Sequence, residues 1–165
     1  METEVQDKIS LPLDIELLFD NAVLDTISIL CVISCFEKKK KGIKLEQLAF
    51  YYSIATSRTK VKVENMSISV DNSKAKIDVD TWYWQVCSKI NYMVGYLAAN
   101  NLIDLFVEPE FNQFEIRAKI NKNGLETVKS LESPYYHELM ERVKVQVKDI
   151  EYNKRNLLKI MGVNK

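Results

Sequence analysis

Three cysteines and one histidine are the side chains best suited to nucleophilic or metal chemistry, and their spacing is the first thing to weigh. Cys31 and Cys35 lie one helical turn apart, so both thiolates would face a common metal if that stretch is helical. Only Cys87 and His137 are available to complete a tetrahedral set, and neither comes with the paired ligand that structural zinc motifs carry. Both Cys31 and Cys35 sit in an apolar run, where free cysteine packs as a small hydrophobe. His137 follows Tyr135 and Tyr136, four residues before Glu141, with no nucleophile in sequence to pair with, which favours a surface or capping role. Four glycines spread over 165 residues exclude a Gly-rich phosphate loop. The expectation is therefore a protein that is not an enzyme, with no metal, no cofactor and no small-molecule substrate.

Basic side chains are the second candidate chemistry. Lys38, Lys39, Lys40 and Lys41 form a run ahead of Gly42, and Arg58, Lys60, Lys62, Lys74 and Lys76 form a looser one. Either could touch phosphates, or simply be a solvated helix exit and a hairpin blunted by charge. The 23 Lys plus Arg balance 23 Asp plus Glu, so the chain is not a dedicated polybasic nucleic-acid binder.

The elements that position these groups follow from periodicity. Asp20 and Asn21 suit an N-cap. Val23, Leu24, Ile27, Leu30, Ile33 and Phe36 then repeat at helical steps, and Ile29 and Val32 widen the stripe until the helix is apolar on most sides. Such a helix belongs at the centre of a domain or under a partner. It is expected to run into the lysines, which suit the negative end of its dipole, with Gly42 as the left-handed exit. A second helix is predicted over 44–54. Residues 55–80 are the least helical, with alternation through Val61, Val63, Ile68 and Val70 and again through Ala75, Ile77 and Val79, and Asp71-Asn72-Ser73 as the turn between them. Thr81 or Asp80 caps a third helix carrying Trp82, Val86, Ile90, Met93, Val94 and Leu97, which ends at Asn100-Asn101. Two strands follow, through Leu102–Val107 and Phe114–Ile120, with Glu108-Pro109-Glu110 as the turn. Asn121 caps a short helix, and Ser133-Pro134 opens the last one, which Leu157, Leu158 and Met161 extend to Gly162.

This order predicts a mainly α chain with a small antiparallel β wing (α+β): a winged helix-turn-helix with an inserted hairpin or loop and a long C-terminal helix. The domains are an extended arm over 1–18, a winged-helix domain over 19–132 with its insertion at 55–80 and wing at 102–120, and a helix over 133–165 packing on the domain or a partner. In a DNA reader the third helix would present Arg, Lys, Asn or Gln to base edges. Here it has one cation, Lys89, beside the outward candidates Tyr83, Tyr92 and Tyr96, and the expected wing turn is acidic. Neutral, Tyr-rich surface is what protein interfaces use. The predicted partner contacts are Tyr83, Tyr92 and Tyr96 with the alternating Leu11, Leu13, Ile15 and Leu17. Lys38, Lys39, Lys40, Lys41, Arg58, Lys60, Lys62 and Lys89 are the DNA-contact candidates. The polar, acidic first ten residues lack the pattern of a secretory signal, and the run 27–36 is too short to span a bilayer. With an odd cysteine count, reduced thiols in a cytoplasmic protein off the membrane are expected.

Three stretches carry a family resemblance: Phe19-Asp20-Asn21-Ala22-Val23-Leu24-Asp25-Thr26, Val94-Gly95-Tyr96-Leu97-Ala98-Ala99-Asn100-Asn101-Leu102-Ile103, and Leu131-Glu132-Ser133-Pro134-Tyr135-Tyr136-His137-Glu138-Leu139-Met140-Glu141-Arg142. With their spacing they resemble the middle component of bacterial ABC-three-component systems, and Lamassu-type anti-phage systems contain a similar subunit. The resemblance implies a non-catalytic adaptor that binds an SMC- or Rad50-like ATPase and an effector nuclease, with DNA reached through the assembly. The family's loop before the third helix carries His, Pro and Arg, whereas 55–80 has Arg58 but neither His nor Pro, so no role tied to that loop carries over. The competing expectation is a dimeric winged-helix transcriptional regulator that binds operator DNA.

Overall fold

A computed structural model of the chain describes residues 21–57, 61–64, 67–70, 79–111 and 113–163, with 61–64, 67–70 and 110 described as backbone only. Leu11, Leu13, Ile15, Leu17, Arg58 and Lys60 lie outside these residues, as do the expected arm and the Asp71-Asn72-Ser73 turn. Lys62 is described only as backbone.

The described chain is mainly helical with a small three-stranded antiparallel sheet. Helix α1, Ala22–Ser34, is capped by Asn21, whose side chain accepts from the Val23 and Leu24 amides. From Ser28 to Ile33 every residue is buried, and α2 (Leu45–Thr56), α3 (Val79–Ala99), α4 (Lys122–Lys129) and α5 (Pro134–Asp149) all pack on α1. The all-round apolar pattern thus marks the central helix, although Val23 and Leu24 at its start stay exposed. α1 is shorter than expected. It stops at Ser34, whose hydroxyl donates to the Cys31 carbonyl, and the chain tightens into three-residue turns through Lys39. The four lysines therefore follow the helix instead of forming its last turn. Gly42 has φ +72°, and a Cβ there would lie 2.4 Å from the Ala118 carbonyl oxygen, so the chain can pass the sheet at this point only as glycine.

Strand β1, Ile43–Lys44, pairs with β5 (Gln113–Ile120), which pairs with β4 (Ile103–Glu110) in the order β1-β5-β4. A separate hairpin joins β2 (Val61–Glu64) to β3 (Ser67–Val70) with Val61 opposite Val70. Glu64 stands opposite Ser67, so the expected turn at Asp71-Asn72-Ser73, which lies outside the described residues, is not the one that closes this hairpin. Val79 opens α3 instead of ending a strand. α3 ends where expected. Asn101 takes φ +55°, and the Leu102 amide closes back on the Leu97 carbonyl.

The C-terminal region corrects a further expectation. One long helix is replaced by α5 and α6 (Lys154–Ile160), because Ile150 is extended and fully buried, and its carbonyl accepts from the Tyr51 hydroxyl at 3.0 Å. Asn153 then caps α6 by accepting from the Asn156 amide. Ser133 stands at the cap position of α5, but its hydroxyl makes no capping bond.

Candidate functional site

The β4–β5 hairpin has two chemically different faces. Directly opposed residues of an antiparallel pair share a face. One face therefore carries the pairs Asp104/Lys119, Phe106/Arg117, Glu108/Glu115 and Glu110/Gln113. Ions cross it: Arg117 reaches Glu115 at 2.7 Å and Glu108 at 3.3 Å, Lys41 reaches Glu108 at 2.9 Å, and Lys44 pairs with Glu115. Partial burial pushes the Glu115 carboxyl up, but hydrogen bonds and charge from Lys44 and Arg117 outweigh it and hold the group below the usual glutamate range.

The other face carries Ile103/Ile120, Leu105/Ala118, Val107/Ile116 and Pro109/Phe114. Its inner half is core. Its outer half is open, with Leu105 41%, Ile116 41%, Val107 61% and Phe114 80% exposed. Beyond Glu110, Phe111 has φ +38° and is almost wholly exposed. This corrects the expected acidic turn: Glu108 and Pro109 are strand residues, and Glu108 is tied to Arg117 and Lys41. Pro109 fits because β4 is the sheet's outer strand.

Helix α3 presents Trp84, Tyr92 and Tyr96 to the surface, each more than half exposed. Tyr83 is not among them. It is 2% exposed, edge-on to Trp84, and burial pushes its hydroxyl well above the usual tyrosine range. It belongs to the inward stripe of Val79, Tyr83, Val86 and Ile90. The outward face has Lys89 as its cation, together with Gln85, Ser88 and Asn91.

Of the lysine run, Lys39 lies 5.0 Å above the Phe36 ring and donates to Gln47, Lys41 is paired with Glu108, and the Lys40 carbonyl accepts from Lys119. Lys38 is exposed on the same turn. The structure brings Lys39, Lys41 and Arg117 together beside the charged face of the hairpin. Desolvation, with Arg117 close by, lowers the Lys39 pKa.

Cys31 is buried, and its burial, then the neighbouring Cys35, pushes the thiol up to about 12. Burial likewise takes Cys35 up to about 11, so neither is a ready thiolate. His137 is exposed, with Nδ1 3.1 Å from the Ser133 carbonyl in its own first turn. Among the described residues no group of three or more His, Cys, Asp or Glu is placed to hold a metal, and no helix is long and apolar enough to cross a membrane. The feature that sequence reasoning missed is the open apolar half of the hairpin. The alternation puts Leu105, Val107, Phe114 and Ile116 in phase with the buried Ile103 and Ile120, which gives their face and carries no signal of their exposure.

No protein-family model, curated protein or solved structure matches the chain.

Proposed function

We propose that this chain is a non-catalytic winged helix-turn-helix adaptor in a multi-subunit anti-phage defence complex, binding an SMC- or Rad50-like ATPase and an effector nuclease. The connectivity α1-β1-α2-α3-β4-β5, with a hairpin inserted between α2 and α3, supports the winged-helix part. One observation carries the adaptor reading: the outer half of the hairpin is an exposed apolar strip of Leu105, Val107, Phe114 and Ile116, where a DNA-binding wing would need cations. Exposed contiguous apolar surface on a folded chain marks a protein contact. The aromatic, weakly charged outward face of α3 supports the same choice, because major-groove reading relies on Arg, Lys, Asn and Gln. Lys41, Lys44 and Arg117 on the hairpin's charged face meet carboxylates of the chain itself, so phosphates would have to compete for them.

The test is co-expression of the tagged chain with its neighbouring genes, followed by pull-down and mass spectrometry. A large coiled-coil ATPase recovered in defined ratio is the expected result. A chain recovered alone, as a dimer retaining a promoter fragment with steep salt dependence, would move the reading to a transcriptional regulator.

A further inference from the structure

An open cleft of about 710 Å³ lies between the first turn of α2 and the outer half of β5. Leu45, Phe111, Phe114 and Ile116 give it apolar walls. Phe111 is a bulky residue held at φ +38° and almost wholly exposed, a strained backbone that gains the chain no burial.

The charged residues of the lining are not equivalent. Lys44 pairs with Glu115, which Arg117 also reaches at 2.7 Å. Glu46, exposed in the first turn of α2, accepts from the Tyr152 hydroxyl and, among the described residues, meets no lysine or arginine. That hydrogen bond holds the carboxylate and leaves its charge in place. Burial, then the bond to Glu46 and the charge of Glu46, push the Tyr152 pKa up, so the proton stays on the phenol. Tyr152 bonds to Oε2, and Oε1 has no donor among the described residues.

This lone charge decides what the cleft can take. A partner seated on Leu45, Phe114 and Ile116 covers Glu46 as well, and a carboxylate covered without a cation is strongly unfavourable. Neutral and acidic occupants are thereby disfavoured. Of the two cationic side chains, the guanidinium suits these walls better. It is planar and weakly hydrated, stacks on aromatic faces and bonds a carboxylate through a fork.

We propose that the cleft is an arginine socket: it takes one arginine of the partner protein, flanked by apolar residues, with the guanidinium on Glu46 and against the phenylalanine rings. The proposal rests on the adaptor reading and names the chemistry of the segment that docks. The flanking side chains would join Ile116 and Leu45. This chain's own leading residues are a poor fit, since residues 1–20 carry six Asp or Glu, one Lys and no Arg. A second copy fits little better. Among the described arginines, Arg117 and Arg142 already bond within the chain, and Arg155, exposed on α6, stands between Lys154 and Asn156 instead of apolar neighbours.

The probe is the peptide acetyl-Val-Leu-Arg-Leu-Val-amide, titrated into the isotope-labelled full chain and followed by amide NMR. Saturable shifts centred on Glu46, Phe114 and Ile116 are expected. Replacing the peptide's arginine by citrulline, which keeps the shape and removes the charge, should weaken binding about fivefold or more. A lysine peptide should bind about twofold more weakly or worse. Glu46→Gln keeps an acceptor for Tyr152, so the fold is retained; it should bring the arginine and citrulline peptides to equal affinity and remove the salt dependence of the first. Glu46→Lys should lose the partner in the co-expression pull-down. Absent shifts, shifts centred elsewhere, or equal binding of the citrulline or lysine peptide to the unaltered chain would overturn the socket. Peptide-driven dissociation of a dimer would give the cleft to a second copy and overturn it too. Full partner recovery by a Glu46→Lys chain that folds normally would overturn it while leaving the adaptor reading intact. Peptide binding without any recovered partner would strike the adaptor reading, and the assigned occupant with it.

Discussion

The two halves of one sheet face make the most instructive contrast in this molecule. At the base, Ile103, Ala118 and Ile120, with Ile43 beside them on β1, are at most 4% exposed. Further out on the same face, Val107 and Phe114 are 61% and 80% exposed. The alternation is identical in both halves, so it specifies which way side chains point and leaves open what covers them. The cover is set by the helices. α1 and α2 pack against β5, and β1 gives way to α2 at Leu45, leaving the outer half overhanging. On the opposite face the order reverses, because ion pairs hold the outer half together where burial does not. One half is built to keep the chain folded and the other is available for contact.

That contrast predicts unequal responses to substitution. Ile120→Ala, at the base, should cost about 2–5 kcal/mol of unfolding free energy in urea titration. A loss below about 1 kcal/mol would mean the base is not sealed by the core. Gly42→Ala forces a Cβ against the Ala118 carbonyl at positive φ, and should cost about 1–3 kcal/mol, read as a lowered Tm. Phe114→Ala, on the outer half, should shift stability by no more than about 0.5 kcal/mol yet weaken the partner complex by about 1–3 kcal/mol. Tyr92→Ala sharpens the comparison by asking whether the exposed face of α3 belongs to the same contact; an unchanged Kd with an intact fold would remove it. The smallest effect is with pH. Glu115 is held below its usual pKa when folded, so its pairing contributes above the ordinary glutamate range and is lost as pH falls through the depressed value. Amide exchange at Arg117 should therefore quicken in acid before exchange at Ile120 does.

Much of the scaffold was legible because its signals are local. Asn21 and Asn121 cap as their side chains suggest, Asn100-Asn101 ends α3, and the all-round apolar α1 lies at the centre. The misreadings have physical causes. Tyr83 looked outward because the start of α3 was placed after Val79. With the helix opening at Val79, the spacing 79, 83, 86, 90 puts Tyr83 on the buried stripe. Pro109 suggested a turn, but an outer strand tolerates a missing donor, and the chain reverses instead at Phe111 with an unusual positive φ. The helical period through Ile150 promised one long helix, and what broke it was a distant partner, the Tyr51 hydroxyl. Exposure of the outer hairpin was not legible at all, since sequence records a side chain's direction and not the length of the helix above it.

The bond between Tyr51 and Ile150 also bears on how the chain is made. It joins residues 99 apart, and the contacts of Arg142 with the Ala55 carbonyl and Ser34 with the Met140 sulfur span similar separations. α5, which covers α1 and α2, is therefore synthesised about a hundred residues after the surfaces it buries. At roughly 5–20 residues per second, the two most apolar helices wait about 5–20 s on the ribosome before their lid arrives. Closing contacts of such long range are slow steps in themselves. The vulnerable interval in the life of this protein is therefore its translation, and co-translational chaperones have their natural target in α1.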